Sequence, residues 1–207
     1  MAKSRKALAE VFLNIPYDKK FENLFLAYIA GIRAFGLVPR ATLEIPSGSR
    51  RLEKILDLIR ICRYSIHDLS RVQLDAKAPR TPRFNMPFEL GLTVAHHRKP
   101  SARKHDWFVC EAKEWRLSKS LSDLNGTDVH IHDGKVAGVF RELCNIFAPS
   151  QRQRTTQQMG QIYRQMRRNI PEILRQSGAK SVYTTRVFKD LSIVASALAD
   201  EFVPVKA

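Results

Sequence analysis

The sequence predicts an α/β fold: a doubly wound, mostly parallel five-stranded sheet with a C-terminal helical extension. Three observations lead to this prediction. Over residues 1–148, short apolar runs typical of strands alternate with segments of helical period. The connections between them are short, as expected for parallel strands that helices cover on both faces. Beyond residue 148 only helical patterns occur, and no run approaches the roughly 20 apolar residues of a membrane span, so we expect no membrane partner.

Each predicted strand is a short apolar or alternating run bounded by a turn or a helix signal. The first run ends at Pro16, which cannot donate a ladder hydrogen bond. The predicted strands cover residues 11–15, 37–45, 64–69, 107–110 and 129–132.

The predicted helices lie between these strands. Asp18 is placed to cap the first helix and Gly36 to end it. Its apolar residues follow a 3.6-residue period: Phe21, Leu24, Phe25, Tyr28, Ile29, Ile32 and Phe35. The later helices are predicted around residues 52–62, 85–97, 113–124 and 136–147.

The extension is predicted to begin near Pro149, which divides the chain into an α/β domain, residues 1–148, and a basic helical extension, residues 149–207. Asn169 and Pro171 predict a break and restart, and Gly178 predicts an end. The last helix carries an apolar stripe: Val187, Leu191, Val194, Leu198 and Phe202. We expect this stripe to contact a partner, another copy or an associated protein, and the alternative is packing within the chain.

The net charge is +15 and the pI is near 10.1. Residues 1–148 carry a net +9 and the shorter residues 149–207 a net +6. Such a surface attracts polyanions or phosphorylated small molecules, so nucleic acid is a possible partner, and the alternative is a solvated basic surface.

The N-terminal residues lack the apolar core of a secretory signal, which favours a cytoplasmic location.

Two carboxylates lie at the end of the third predicted strand and in the helix after it, and ligands of doubly wound sheets bind beyond the carboxyl ends of the strands. Asp68 lies near the carboxyl end of that strand, and Glu89 lies early in the next helix. Glu89 precedes an apolar segment, and a carboxylate in such surroundings is unfavourable unless it is paired or used. We therefore take both as candidate catalytic residues. The structural alternative is that Asp68 caps a turn and Glu89 complements the helix dipole.

A candidate anion site precedes the second helix. It consists of Ser47, Gly48, Ser49, Arg50 and Arg51. Free backbone amides, the helix dipole and two guanidinium groups suit a phosphate there. A capped helix with two surface arginines explains the same residues.

The histidines do not predict a metal centre. His96 and His97 are adjacent, and His130 and His132 alternate along a strand, but no cysteine or aspartate completes a ligand set at suitable spacing. We therefore expect neither a metal ion nor a cofactor.

Two segments resemble a known superfamily. Residues 11–18 resemble the first box of TIR domains. Residues 84–95 resemble the box that carries the catalytic glutamate of NAD-cleaving TIR domains, and equally the glutamate box of nucleoside 2-deoxyribosyltransferases, in which Asp68 also has a counterpart. The resemblance covers residues 9–148 and implies a flavodoxin-like, TIR-like sheet. It also implies that Asn14, Tyr17, Phe84 and Asn85 contact the substrate.

The resemblance implies cleavage of an N-glycosidic bond, with NAD as substrate and not as cofactor. Glu89 would stabilise the oxocarbenium-like transition state, as carboxylates do in glycoside hydrolysis. The resemblance further implies a cell-suicide effector in bacterial antiphage defence, acting as a homo-oligomer or with an associated defence protein. The alternatives are deoxyribosyl transfer between bases and a non-catalytic TIR-like assembly or nucleic-acid-binding module.

Overall fold

Five parallel strands form one sheet in the order β2-β1-β3-β4-β5. The computed structural model of the protein describes residues 8–46, 50–72, 78–98, 104–149 and 153–202. The strands are β1 Glu10–Asn14, β2 Val38–Ala41, β3 Tyr64–Asp68, β4 Asp106–Glu111 and β5 Val129–Ile131. The doubly wound α/β fold predicted from the sequence is confirmed. The strand order reverses between β1 and β3, and this switch point is where open α/β sheets bind ligands.

The seven α-helices of the described residues cover both faces of the sheet. They are α1 Glu22–Ala34, α2 Arg51–Ile61, α3 Asn85–His97, α4 Arg116–Ser120, α5 Val136–Ile146, α6 Thr156–Ser177 and α7 Thr185–Asp200. In β1 the fully buried Val11 and Leu13 belong to the core under α1 and α5, whereas Phe12 packs with Ile59 of α2 on the other face. The central strand is therefore apolar on both sides, as parallel strands require.

The C-terminal helices continue the core of the α/β domain. Met159 and Ile162 of α6 and Phe188 and Leu191 of α7 are buried in the same cluster as α1. Gly31 of α1 makes the approach possible, because a Cβ there would collide with Leu143 of α5 and crowd Met159.

The apolar stripe of α7 packs within the chain. Val187 and Leu191 are buried, and Val194, Leu198 and Phe202 are partly buried against the same core. This corrects the expectation that the stripe is free to cover a partner. Association through other surfaces stays a prediction.

Three local predictions are wrong. The helix of α6 does not break at Asn169 but runs through Pro171, because buried residues before and after the proline hold both halves on one core. Strand β2 ends at Ala41 and not at residue 45, since the Glu44 carboxylate accepts from the Ala41 amide and closes a 3-10 turn, Thr42–Glu44. The helix predicted over residues 113–124 is only α4 and a second 3-10 turn, Ser122–Leu124.

None of the helices in the described part of the chain is both long and apolar enough to cross a lipid bilayer.

Candidate functional site

A pocket of about 350 Å³ opens at the carboxyl end of β1, at the switch point of the sheet. The segment after β1, the turn after β2 and the first turns of α2 and α3 form its wall. Its lining residues are Asn14, Ile15, Pro16, Tyr17, Thr42, Arg51, Arg83, Asn85, Met86 and Glu89. The location is the one that the fold rule predicts for a ligand.

Glu89 is the buried ionisable group of this pocket. It lies in the second turn of α3 on the face that packs toward the sheet, and only 4% of the residue is exposed. Among the described residues, none makes a hydrogen bond or ion pair with its carboxylate. Burial raises the pKa of Glu89 to about 7, and the charge of Arg51 offsets this only in part. Near neutral pH the group is therefore close to half ionised.

Two predicted substrate residues, Asn14 and Tyr17, lie beside Glu89 in the wall. The Asn14 amide nitrogen donates to Met86 O and to His67 Nδ1, each at 2.9 Å. The Tyr17 hydroxyl accepts from Thr42 Oγ1 at 3.3 Å. Burial, and to a lesser extent the charge of Glu89, raises the pKa of Tyr17 to about 12, so the phenol stays protonated. Both side chains present neutral hydrogen-bonding groups next to the carboxyl group.

Tyr17 is supported from the C-terminal extension. Its ring packs edge-on against Phe25 of α1, with 6.1 Å between centroids, and lies 5.9 Å from the ring of Tyr183. The Tyr183 hydroxyl donates to Asp18 O at 2.6 Å. The segment between α6 and α7 therefore helps to position one wall of the pocket.

Arg51 and Arg83 give the pocket its positive charge. Arg83 Nη1 lies 3.1 Å from Asp18 Oδ2, which also contacts Arg71 at 3.4 Å, whereas no partner of Arg51 occurs among the described residues. Of the predicted anion site, Arg51 lines the pocket. Arg50 does not. It is 85% exposed at its side chain and pairs with Glu53 at 3.1 Å. Ser47, Gly48 and Ser49 lie outside the described residues.

Asp68 does not line the pocket, contrary to the expectation that it acts beside Glu89. It is fully buried and accepts from the Tyr28 hydroxyl at 2.8 Å and from the Ser70 amide at 2.9 Å. His132 Nε2 lies 3.0 Å from the same carboxylate. Burial lowers the pKa of His132, but the adjacent Asp68 carboxylate outweighs this, so the pKa is raised. These contacts are those of a carboxylate that holds the core together, and they favour the structural alternative for Asp68.

The two predicted substrate residues at the start of α3 differ in position. Asn85 lines the pocket, but Phe84 does not, and it is 67% exposed. The difference arises because successive side chains along a helical turn point about 100° apart, so neighbouring residues face different sides.

Sequence reasoning missed Ile15, Pro16, Thr42, Arg83 and Met86 as lining residues. Thr42 carries a signal that was available, since it follows β2 and so lies at the same edge of the sheet as Asn14. Arg83 directly precedes the box of residues 84–95 around Glu89, and Met86 lies inside it.

A larger pocket, about 430 Å³, lies at the carboxyl ends of β4 and β5 against α4. Its charged residues, Lys113 and Glu114, are exposed, and its remaining wall includes Trp115, Leu117 and Val129. It lacks a buried ionisable group, so the smaller pocket is the candidate for chemistry.

Among the described residues no cluster of three or more histidine, cysteine, aspartate or glutamate residues is arranged to hold a metal ion.

Comparisons with protein-family models, with curated proteins and with solved structures find no match to this chain.

Proposed function

We propose that this protein cleaves the N-glycosidic bond of a nucleotide, with NAD as its substrate and Glu89 as its catalytic residue. The observation that carries the proposal is a buried carboxyl group, without a partner in the part of the chain that the structure describes, in a pocket at the switch point of the sheet. Buried carboxyl groups with raised pKa values in clefts are typical of catalytic sites.

The chemistry suits a group of this kind. Breaking the bond between ribose and base builds positive charge on the sugar ring in the transition state. A buried carboxylate stabilises this charge more strongly than it stabilises the uncharged sugar of the ground state, and only such a difference accelerates the reaction. Nicotinamide in NAD is already cationic, so its departure needs no general acid.

The arginines supply the second part of the proposal. Arg51 and Arg83 line the same pocket as Glu89, and guanidinium groups bind phosphate oxygens in pairs of hydrogen bonds. A substrate with a diphosphate next to its ribose would meet both requirements. NAD is such a molecule.

One observation favours deoxyribosyl transfer as the second candidate. With a pKa near 7, a large fraction of Glu89 is protonated at neutral pH. A protonated carboxyl group can deliver a proton to a departing neutral base, which nicotinamide does not require. The two reactions predict opposite dependence on pH.

The test is to incubate the purified protein with NAD and follow free nicotinamide, with 2′-deoxyadenosine plus a second base in parallel. NAD cleavage by ionised Glu89 gives a kcat/KM that rises with pH through about 7 and then levels. Base exchange by protonated Glu89 gives a rate that falls above the same pH.

Enforced clustering of the protein should be included, because assembly controls some enzymes whose activity would harm the host cell. Absence of turnover in every condition, together with an affinity for DNA that falls steeply with salt, would favour the non-catalytic binding module.

A further inference from the structure

A chain of buried hydrogen bonds runs from the pocket into the sheet. Asn14 Nδ2 contacts His67 Nδ1, His67 Nε2 contacts Ser65 Oγ, and Ser65 Oγ contacts His105 Nε2, each at 2.9 Å. All four residues are at most 3% exposed. They come from β1, from β3 and from the residue that precedes β4, so the hydrogen bonds extend across the three central strands of the sheet.

Two backbone carbonyls determine the direction of every bond in this chain. Asn14 Nδ2 donates to Met86 O at one end, and His105 Nδ1 contacts Cys62 O at 2.9 Å at the other. A carbonyl oxygen only accepts, so the NH₂ group of Asn14 faces Met86, and His105 carries its proton on Nδ1. Its Nε2 then accepts from the Ser65 hydroxyl.

The remaining proton follows from the same rule. Ser65 Oγ accepts from His67 Nε2–H, so His67 Nδ1 is unprotonated and accepts from Asn14. Both imidazoles must be neutral for this order to exist. Burial, and to a lesser extent the repulsion that two protonated rings would suffer, lowers the pKa of His67 to about 3, and burial also lowers the pKa of His105. The two carbonyl groups at the ends of this hydrogen-bonded chain therefore impose the same donor and acceptor on every bond between them.

Because both hydrogens of the Asn14 amide are engaged, its Oδ1 is the group left for a ligand. Among the described residues no donor contacts this oxygen, although Asn14 is 3% exposed and lines the pocket. Rotating the amide by half a turn would bring Oδ1 against Met86 O and is therefore unfavourable. The pocket thus contains a hydrogen-bond acceptor that cannot exchange its role for that of a donor.

We propose that Asn14 determines specificity by accepting a hydrogen bond from a ribose hydroxyl through Oδ1, and that His67 is the positioning residue that holds it in this orientation. The proposal rests on the proposed function in one respect, namely that a sugar occupies the pocket beside Glu89. A sugar hydroxyl is the donor that would meet an acceptor next to the group acting on the anomeric carbon. A site built around such an acceptor rejects an analogue without the hydroxyl.

The test uses ribose 5-phosphate and its 2-deoxy and 3-deoxy forms as probes, with binding measured by calorimetry or NMR titration. The wild-type protein is expected to bind ribose 5-phosphate at least about tenfold more tightly than one of the deoxy sugars. Equal binding of the three probes, or no binding of ribose 5-phosphate, overturns the proposal.

Two substitutions of His67 form a matched pair. His67→Asn keeps an acceptor near the position of Nδ1, whereas His67→Gln reaches toward the position of Nε2 and removes the acceptor that Asn14 faces. We expect His67→Asn to keep the preference for the hydroxyl and His67→Gln to reduce it to within about twofold. An unchanged preference in His67→Gln contradicts the positioning role.

A measurement on the wild-type protein covers the case in which neither variant folds. Nitrogen-15 NMR at neutral pH should find His67 neutral, with its proton on Nε2. A proton on Nδ1, or a cationic ring, overturns the proposal.

Parallel assay of nicotinamide release separates the two hypotheses. If the protein prefers sugars that carry the hydroxyl but does not turn over NAD, the proposed function is overturned and the role of Asn14 is retained. If it turns over NAD without this preference, the role of Asn14 is overturned and the proposed function is retained.

Discussion

Asp68 ends β3 and Glu89 lies in the next helix, and both are buried carboxyl groups, yet their surroundings differ. Asp68 is in contact with a hydroxyl, a backbone amide and an imidazole, whereas Glu89 has no hydrogen-bond partner among the described residues and faces a pocket. Removing a partner from a buried carboxylate is strongly destabilising, and a buried carboxylate without partners lowers the stability of the fold. Burial alone therefore does not distinguish a candidate catalytic carboxylate from a structural one. The distinguishing feature is whether the described residues supply the carboxylate with hydrogen-bond partners.

The largest expected effect is on catalysis. Glu89→Gln keeps the shape of the side chain and removes its charge, so turnover of NAD should fall about 10²-fold or more, equivalent to about 2.7 kcal/mol. Release of nicotinamide by the purified variant measures this, with circular dichroism as the control for folding. Wild-type rates from a folded variant would place the chemistry elsewhere.

The same substitution should also change how stability depends on pH. Folding raises the pKa of Glu89 from 4.5 to about 7, so the native state binds the proton more tightly than the unfolded state. Stability is therefore highest below the unfolded pKa and falls as the pH rises to about 7, by roughly 3 kcal/mol in all.

Urea denaturation at about pH 5 and about pH 8 measures this slope. Glu89→Gln has no such group, so we expect a flatter profile and a variant that is more stable than the wild type at the higher pH. If the free energy of unfolding depends on pH in the same way for both proteins, ionisation of Glu89 does not destabilise the folded state, and the prediction is wrong.

Asp68→Asn should lose stability and keep its activity, whereas Glu89→Gln should lose activity and keep its fold. It weakens the contacts to Tyr28 and His132 inside the core, and the free energy of unfolding should fall by about 2–4 kcal/mol. Activity per folded molecule should change little, because Asp68 does not line the pocket. Tyr28→Phe removes one of the same hydrogen bonds and is the matched control, with a loss of about 1 kcal/mol. A stable but inactive Asp68→Asn would return Asp68 to the catalytic site.

The smallest expected effects separate the two adjacent arginines. Arg51→Gln should raise KM for NAD by about threefold to tenfold with a smaller change in kcat, because phosphate contacts exist in the ground state and the transition state alike. Arg50→Gln is the matched control, and we expect KM within about twofold of wild type, since Arg50 pairs with Glu53 away from the pocket.

A second readout links Arg51 to Glu89. The charge of Arg51 lowers the pKa of Glu89, so its removal should move the acidic limb of the rate profile to higher pH. If neither arginine variant changes KM or the pH profile, then neither arginine contacts the substrate.

Much of the architecture follows from local pattern. The helix over residues 85–97 is predicted to the residue, and Glu89 is singled out because a charge interrupts its apolar side. The prediction for Pro171 is wrong because a local rule, the missing amide hydrogen, is outweighed by long-range packing of Met166 and Ile173 on α1 and α7. The sequence did not place Asp68 for a related reason: position in a strand does not reveal the partners of a side chain, and a catalytic role for Asp68 stays a prediction that lacks support from the pocket.

The sequence by itself determined the class of fold and the presence of two carboxylates at and after the third strand, because periodicity and turn residues act over a few positions. Only the tertiary structure decided where the strand order reverses, which carboxylate lacks partners among the described residues, and which atom of Asn14 is left without a donor there. Those outcomes depend on contacts between distant residues, with 40 positions between Tyr28 and Asp68 and 72 between Asn14 and Met86. Such contacts exist only once the sheet has assembled and its helices have packed.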